Sequence, residues 1–186
     1  MVVILIIVIL AALIFPVAGN IREKAGRVVC LSNLKQIHHA TMLYVAENRG
    51  WTPVSNFGGN WTNGWRTSIL PYHGNWKIYL CPRAPAAAKN CYSRGNYGIN
   101  AYIDEIGGQI NLIARIQRPC DTIFYGENGD GDWVCEPMNG PWPNPGWIYP
   151  VHGNGASVVF VDGHAQWLSI TAAHSNNFYL FLVTKP

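Results

Sequence analysis

The sequence predicts an α+β fold in which a long N-terminal helix packs on a small antiparallel β-sheet. Residues 1–18 contain no charged or polar side chain, and residues 19–50 repeat apolar or small residues at helical steps of three and four. Several later segments are rich in β-branched and aromatic residues, which is typical of strands. We therefore expect a ladle-like shape, in which a long helix protrudes and the sheet packs on the C-terminal half of that helix.

The composition favours a membrane-embedded or densely packed protein. Of 186 residues, 49% are hydrophobic and only 12% are charged, against roughly 25% charged residues in soluble domains. The net charge is +3 without any run of Lys or Arg, so nothing implies nucleic-acid binding. We expect three parts: an apolar helix segment (1–18), its amphipathic continuation (19–50) and a globular head (51–186).

The apolar segment is a marginal transmembrane helix. Eighteen helical residues span roughly 27 Å, just under the roughly 30 Å of a hydrocarbon core. A secretory signal cut near Ala18 is one interpretation, and a retained membrane helix is the other. No positive charge precedes the apolar run, which argues against the signal. Pro16 should kink or locally melt the helix.

The amphipathic continuation carries a stripe in which steps of three dominate, so it should wind around the helix and contact more than one partner surface. The stripe comprises Ile21, Ala25, Val28, Leu31, Leu34, Ile37, Thr41 and Tyr44. We expect it to bind the protein's own sheet on one side and neighbouring helices on the other. The predicted assembly helix is represented by Val2, Ile6, Ile9, Leu13, Pro16, Ile21, Val28 and Leu34.

The head should contain a short helix or turn near 65–73 and strands at 122–128, 146–152, 156–162 and 164–170. The last two are separated by Asp162-Gly163, which favours a tight hairpin turn because glycine accepts positive φ. Both faces of 156–162 are largely apolar, so this strand should be covered on both sides, with the long helix over one face.

His152, Asp162 and His164 have side chains that bind metals or move protons. The alternative is a hydrogen-bonded cluster that pins the hairpin to its neighbour, and we favour it because no fourth metal ligand stands nearby in the sequence. His152 would reach the other two only if segment 146–152 pairs beside the hairpin. We expect no catalytic residue and no enzyme activity.

The glycine-rich loop ENGDGDWVCEP places oxygen donors at alternate positions, Asn128, Asp130 and Asp132, flanked by Glu127. Such ligands suit calcium, although the spacing does not match an EF-hand. A solvated acidic loop is the alternative. Calcium is the one cofactor that the residues suggest.

The five cysteines form no CxxC pair, so a zinc ribbon is not indicated. If the head lies outside the cytosol, Cys81–Cys91 and Cys120–Cys135 are the natural disulfides, and Cys30 is left over. The alternative is that all five cysteines are reduced and buried.

Two motifs carry a resemblance to a known family. The first is AALIFPVAGNIREKAGRVVCLSNLKQI, and the second is His152 followed after nine residues by Asp162-Gly163. In this order they resemble type IV pilins and type II secretion pseudopilins, and most of all the bacterial prepilin-type proteins with an N-terminal cleavage/methylation segment and a C-terminal His-X9-Asp-Gly domain. Cys81-Pro82 and NYGINAY at 96–102 are also similar to that group.

The resemblance implies a structural subunit of a pilus-like or pseudopilus filament. Such a subunit resides in the inner membrane before assembly and in an extracellular or periplasm-spanning filament afterwards. Its partners would be copies of itself, a prepilin peptidase and the assembly machinery. Some pseudopilins use calcium to order a loop of the head, as the loop at 127–137 would here.

One part of the family pattern is not found in this sequence. The family has a short basic leader ending in glycine, then a phenylalanine that becomes N-methylated and a glutamate a few residues later. Arg22, Lys24 and Arg27 follow the apolar span and no charge precedes it, which would leave the head in the cytosol. A basic leader upstream would reverse that balance, so we expect Met1 to be an internal methionine of a longer reading frame. The alternative is that the chain lacks the processing site.

Two further hypotheses belong to other classes. Trp142 and Trp147, in a Pro-rich loop, could form a stacking platform for polysaccharide in a membrane-anchored binding module that does not polymerise, although they could equally pack on their own sheet or on another subunit. The other is a metal-dependent enzyme that uses His152, Asp162 and His164.

Overall fold

The chain has an α+β fold, as the sequence predicts. The computed structural model describes residues 2–54, 64–84, 95–100, 102–103, 112–128, 134–135 and 148–169. Helix α1 covers 46 residues, a length of roughly 69 Å. The helices are α1 (Val2–Glu47) and α2 (Trp65–His73), with 3-10 turns at Trp76–Tyr79 and Ile113–Arg115. The strands are β1 (Tyr97–Asn100), β2 (Ile123–Glu127), β3 (Val134–Cys135), β4 (Gly155–Phe160) and β5 (Ala165–Ser169).

The strands form one sheet in the order β3-β1-β2-β4-β5. Strands β1, β2, β4 and β5 pair antiparallel with their neighbours, which confirms the predicted antiparallel sheet for four strands. The short strand β3 pairs with β1 in parallel at one edge. Helix α1 contacts β2, β4 and β5 as well as α2, so it lies across one face of the sheet.

The predicted hairpin between the last two strands is confirmed. Phe160 carbonyl accepts from Gly163 N–H at 3.0 Å, and His164 carbonyl accepts from Phe160 N–H at 2.9 Å. Gly163 has φ 94°, a left-handed conformation that glycine adopts without a steric penalty. The Asp162-Gly163 pair is therefore first of all a turn.

Strand β4 is buried along its whole length, as its two apolar faces predict. On one face, Val159 and the following Val161 join the main core under α1. On the other, Val158 and Phe160 join a smaller cluster with Ile148. The alternation follows from the two-residue period of a strand.

The face of α1 that meets the head differs from the predicted stripe. Its buried residues are Gly26, Cys30, Asn33, Leu34, Ile37, Ala40, Thr41 and Val45. Their spacing is close to 3.6, so the buried stripe runs straight along the helix and does not wind. Ile21 and Val28 are 59% and 65% exposed. The prediction did not assign Gly26 and Cys30 to the face that meets the head because it relied on large apolar side chains, and Ile21 and Val28 are left for the neighbouring helices that it also expected.

The N-terminal part of α1 projects beyond the head. Every described side chain before Glu23 is exposed, and Gly26 is the first buried position among the described residues. The helix continues through Pro16, so the local melting expected there is not observed. Within the described residues, we find no helix long and apolar enough to cross a membrane. The side chains of Val2, Ile9, Leu13 and Pro16 lie outside the described residues.

One strand prediction was wrong, and another strand was missed. Segment 146–152 is not a paired strand in its described part, where Ile148 forms only an isolated bridge with Asn128. Pro150 contributes to this, because proline cannot donate a ladder hydrogen bond. Conversely, β1 was not predicted, since four residues that include a glycine give too short a pattern.

Gly155→Ala should destabilise the protein strongly. A Cβ at this position would lie 2.3 Å from the Leu168 carbonyl oxygen and 2.4 Å from the Trp167 ring. We expect a loss of about 2 kcal/mol or more in unfolding free energy, measured by urea denaturation with tryptophan fluorescence. Gly19→Ala is the control, because nothing lies within 4 Å of its Cβ. Equal stability of the two variants would contradict the described β4–β5 packing.

Candidate metal centre

Four metal-binding side chains from distant parts of the chain meet in the core. Cys30 comes from α1, Cys81 from the loop after the first 3-10 turn, Glu127 from the end of β2 and His152 from the segment before β4. All four residues are buried, and their four ligand atoms lie within 4.8 Å of one another. We call these residues the buried cluster.

The contacts inside the buried cluster are short. Cys30 Sγ lies 2.7 Å from Cys81 Sγ, and Cys81 Sγ lies 3.4 Å from His152 Nε2. The same Nε2 atom lies 3.0 Å from Glu127 Oε1. The imidazole therefore contacts both a thiol and a carboxyl, and the second thiol contacts the first.

Local backbone structure holds each ligand in place. Cys30 follows Gly26 by one turn on the buried face of α1. The Cys81 N–H donates to Asn96 Oδ1 at 2.8 Å, which fixes the loop beside β1. Glu127 ends β2, and its Oε2 accepts from Ser157 N–H of the neighbouring β4 at 2.6 Å.

His152 is held at the entry to β4 by a tight turn. Its N–H donates to the Gly155 carbonyl at 3.0 Å, and Gly153 within the turn has φ 65°, a conformation that favours glycine. Its own carbonyl accepts from Trp167 Nε1 at 3.2 Å. The turn directs the imidazole toward α1 and away from the hairpin.

A second carboxyl orients the imidazole from outside the cluster. His152 Nδ1 lies 3.2 Å from Glu23 Oε1, and Glu23 Oε2 forms an ion pair with Arg83 Nε at 3.2 Å. A Cβ at Gly26 would lie 2.6 Å from Arg83 Cγ and 3.6 Å from His152 Cε1. The glycine thus allows the Arg83 loop and the imidazole to approach the helix closely.

The electrostatics of the buried cluster favour a positive charge at its centre. The hydrogen bond from Cys30, aided by the His152 contact, outweighs burial and lowers the pKa of Cys81 to about 7. That hydrogen bond, followed by burial, raises the pKa of Cys30 far above its usual range. Burial alone would lower the pKa of His152, but hydrogen bonds to Cys81 and Glu127 raise it to about 10. A protonated His152 imidazole supplies this positive charge.

The structure separates His152 from the other two residues of the predicted triad. His152 lies before the first residue of β4, and Asp162 and His164 lie beyond its last residue. Asp162 Oδ1 is 2.6 Å from His164 Nδ1, and the His164 ring stacks on Phe160 at 4.1 Å. The favoured interpretation, a hydrogen-bonded cluster at the turn, fits Asp162 and His164 alone.

The turn of the hairpin is pinned to α1. His38 Nε2 lies 3.0 Å from the Val161 carbonyl oxygen, and its ring stands edge-on to Phe124 at 6.0 Å. A Cβ at Gly163 would lie 2.9 Å from His38 Cε1. His38 was not singled out in the sequence, although its position one residue from buried Ile37 was a signal for contact with the head.

Glu127, the carboxyl that flanks the proposed calcium loop, belongs to the buried cluster. Both oxygens of Glu127 are engaged, with Ser157 N–H and with His152 Nε2. Asn128 is buried beside it. Asp130 and Asp132 lie outside the described residues, so a calcium site on them stays a prediction, without Glu127 as a ligand.

The cysteines are arranged differently from the predicted pairs. Cys81 contacts Cys30, which was expected to be left over, and both are free cysteines in the structure. Cys120 is a free and exposed cysteine. Cys91 and the Cys135 side chain lie outside the described residues. The predicted pairs relied on short sequence separation, whereas Cys30 and Cys81 are 51 residues apart, and the Cys81–Cys91 and Cys120–Cys135 disulfides stay predictions.

Glu127→Ala should destabilise the fold, because it leaves the Ser157 N–H buried without its acceptor and removes the fully buried carboxylate that pairs with His152. We expect a loss of about 3–5 kcal/mol in unfolding free energy, measured by urea denaturation. Glu47→Ala is the control, since Glu47 accepts a hydrogen bond from Tyr72 at the exposed end of α1, and should lose less than about 1 kcal/mol. Similar losses in both variants would contradict a structural role for the Glu127 contacts.

Acidification should destabilise the protein through His38. Burial lowers the pKa of His38, although the Val161 hydrogen bond and nearby Asp162 oppose this and His39 adds to it. The unfolded state then binds the proton more readily, so this contribution is full above about pH 6.5 and falls as the pH drops toward the lowered folded value. His38→Gln keeps a donor for Val161 without titrating. Thermal melts from pH 7.5 to 5 should fall less steeply for it, and identical slopes would contradict the assignment.

Comparison with known proteins leaves the family of the chain open. A scan of protein-family models, a search of curated proteins and a search of solved structures each found no match.

Proposed function

We propose that the chain is a structural subunit of a type IV pilus-like or pseudopilus filament that assembles through α1. The observation that carries this proposal is the exposed apolar surface on the projecting end of the helix. Val3, Ile4, Ile6 and Ile7 are 51–68% exposed. The head covers α1 only from the region of Glu23 and Gly26 onward.

Exposed aliphatic side chains of this kind must be buried against other protein or lipid in the cell. Fully burying a Val or Ile side chain contributes about 1.5–3 kcal/mol, so several of them on one helix strongly favour association with other helices or with lipid. We assign both environments to this segment. Residues 1–18 lie in the lipid of the inner membrane before assembly and among neighbouring helices in the core of the filament afterwards. A contact between copies that does not close into a ring gives a filament.

Helix α1 also carries apolar residues on the side that faces away from its own head. Val28, Val29 and Leu43 are 65%, 46% and 41% exposed. Leu34, in contrast, is fully buried in the protein's own core. Within the predicted assembly face, Ile6, Ile21 and Val28 are therefore the residues available to neighbouring helices.

The resemblance supports the same proposal and adds partners. A pilin-like subunit would be processed by a prepilin peptidase and extruded by a pilus or secretion assembly machinery into a filament of its own copies. The ladle shape expected of that family is consistent with a helix that projects from an antiparallel sheet. The rival binding module depends on Trp142 and Trp147, which lie outside the described residues, and no described contact favours it.

Electron microscopy of filaments sheared from the producing cells tests the proposal. Antibodies against the head should decorate the filaments along their length, and the chain should be enriched in the sheared fraction. If the chain instead remains in the membrane fraction as single copies, the filament proposal fails and an anchored module takes its place.

Val28→Asp should impair assembly without unfolding the subunit. The side chain is exposed in the single chain, so the head should keep its thermal stability, whereas a charge buried between helices would weaken the filament contact. We expect filament yield to fall roughly tenfold or more. Asn154→Asp adds the same charge at an exposed position of the head, outside α1, and should assemble normally. Normal assembly of Val28→Asp would contradict this contact.

A further inference from the structure

We propose that Cys30, Cys81, Glu127 and His152 bind one Zn²⁺ ion, and that this ion joins α1 to the head. The inference does not depend on the proposed filament function. It rests on the donor set, the burial and the outer contacts of the buried cluster.

The donor set matches zinc chemistry. Two sulfurs, one imidazole nitrogen and one carboxyl oxygen are ligands that Zn²⁺ accepts in tetrahedral sites. The side chains of Glu127 and His152 are both 0% exposed, and Cys30 and Cys81 are fully buried. Ionisable groups are rarely brought together in a core unless they are paired or bind a metal.

The ligand atoms need only small movements to hold the ion. Two thiolates on one zinc, each about 2.3 Å from it, stand about 3.8 Å apart in tetrahedral geometry. The Cys30–Cys81 separation of 2.7 Å would therefore open by about 1 Å. The contacts of His152 Nε2 with Cys81 Sγ at 3.4 Å and Glu127 Oε1 at 3.0 Å are already near the edges of such a tetrahedron.

The groups around the cluster complete a metal site. Glu23 contacts His152 Nδ1, so Nε2 is the nitrogen presented to the cluster. An outer carboxyl on a ligating imidazole is a common feature of zinc sites, and its loss typically weakens metal binding 10- to 100-fold. The Ser157 N–H holds the second oxygen of Glu127 in the same way.

A Cys30–Cys81 disulfide is the competing arrangement. The sulfur separation of 2.7 Å would close by about 0.7 Å to the roughly 2.05 Å of a disulfide, a smaller movement than zinc requires, but a disulfide would make no use of Glu127 or His152. Both of those side chains point at the sulfur pair from the core. A four-ligand metal site uses every member of the cluster.

Zinc binding requires the loss of protons. The ion displaces the Cys30 thiol proton, the Cys81 thiol proton wherever that thiol is still protonated, and the His152 Nε2 proton to solvent, leaving two thiolates, a neutral imidazole and a carboxylate as ligands. With four protein ligands, no position stays open for substrate, which is the pattern of a structural site. The ion would link four chain segments that are otherwise joined by packing and hydrogen bonds.

Metal analysis of the purified full-length chain tests the proposal. We expect one zinc per chain by plasma mass spectrometry, and strong chelation should lower the melting temperature by roughly 5 °C or more. Zinc should restore it, and calcium or magnesium should not. A zinc-free protein after growth and refolding with zinc, or a Cys30–Cys81 disulfide in a non-reducing digest of native protein, would overturn the proposal.

Variants assign the ligands. Cys30→Ser and Glu127→Gln should lose stoichiometric zinc, and Glu23→Gln should bind it roughly tenfold more weakly or worse. Cys120→Ser, at an exposed cysteine, should keep zinc unchanged. If Cys30→Ser does not fold, Glu127→Gln decides, because its amide oxygen can still accept from Ser157 N–H. Full zinc binding in Glu127→Gln would overturn the proposed ligand set.

Discussion

The arrangement of the head on the helix depends on one constraint: the polar atoms of the buried cluster must all be satisfied where four chain segments meet. Cys30 fixes the rotation of α1 about its own axis, and Glu127 and His152 fix the end of β2 and the entry to β4. Because leaving a buried charge without its partner is strongly destabilising, these segments have little freedom to shift relative to one another. The apolar core around these segments gives most of the free energy of folding, and the cluster fixes the position of α1 relative to β2 and β4.

This constraint also divides α1 into two functional parts. From Gly26 to Val45 the buried stripe is committed to the protein's own head. Before Glu23 the described side chains are exposed and mostly apolar. In the proposed filament, a chain built in this way would present a helix to its neighbours without loosening its own fold, since the two surfaces share a helix but no described contacts. The proposed zinc ion sits at the boundary between them.

The features predictable from the sequence were those carried by local patterns. The α+β class, the hairpin at Gly163 and the double-sided burial of β4 follow from periodicity and turn chemistry within a few residues. The phase of the α1 stripe was missed because Gly26 and Cys30 are small, and the reason for their burial lies in the distant residues Arg83 and His152. The four-residue cluster was missed for the same reason, because its members are far apart in the sequence and become neighbours only in the folded chain.

Zinc K-edge X-ray absorption spectroscopy of the purified, untagged protein would show directly whether two thiolates bind the proposed zinc ion. We expect a four-coordinate zinc with two sulfur neighbours at about 2.3 Å and two nitrogen or oxygen neighbours at about 2.0–2.2 Å. That result would place Cys30, Cys81, Glu127 and His152 around one ion that fastens the head to the helix. A spectrum with only nitrogen and oxygen neighbours would contradict it, because the ion would then be bound elsewhere and the two thiols would play no part.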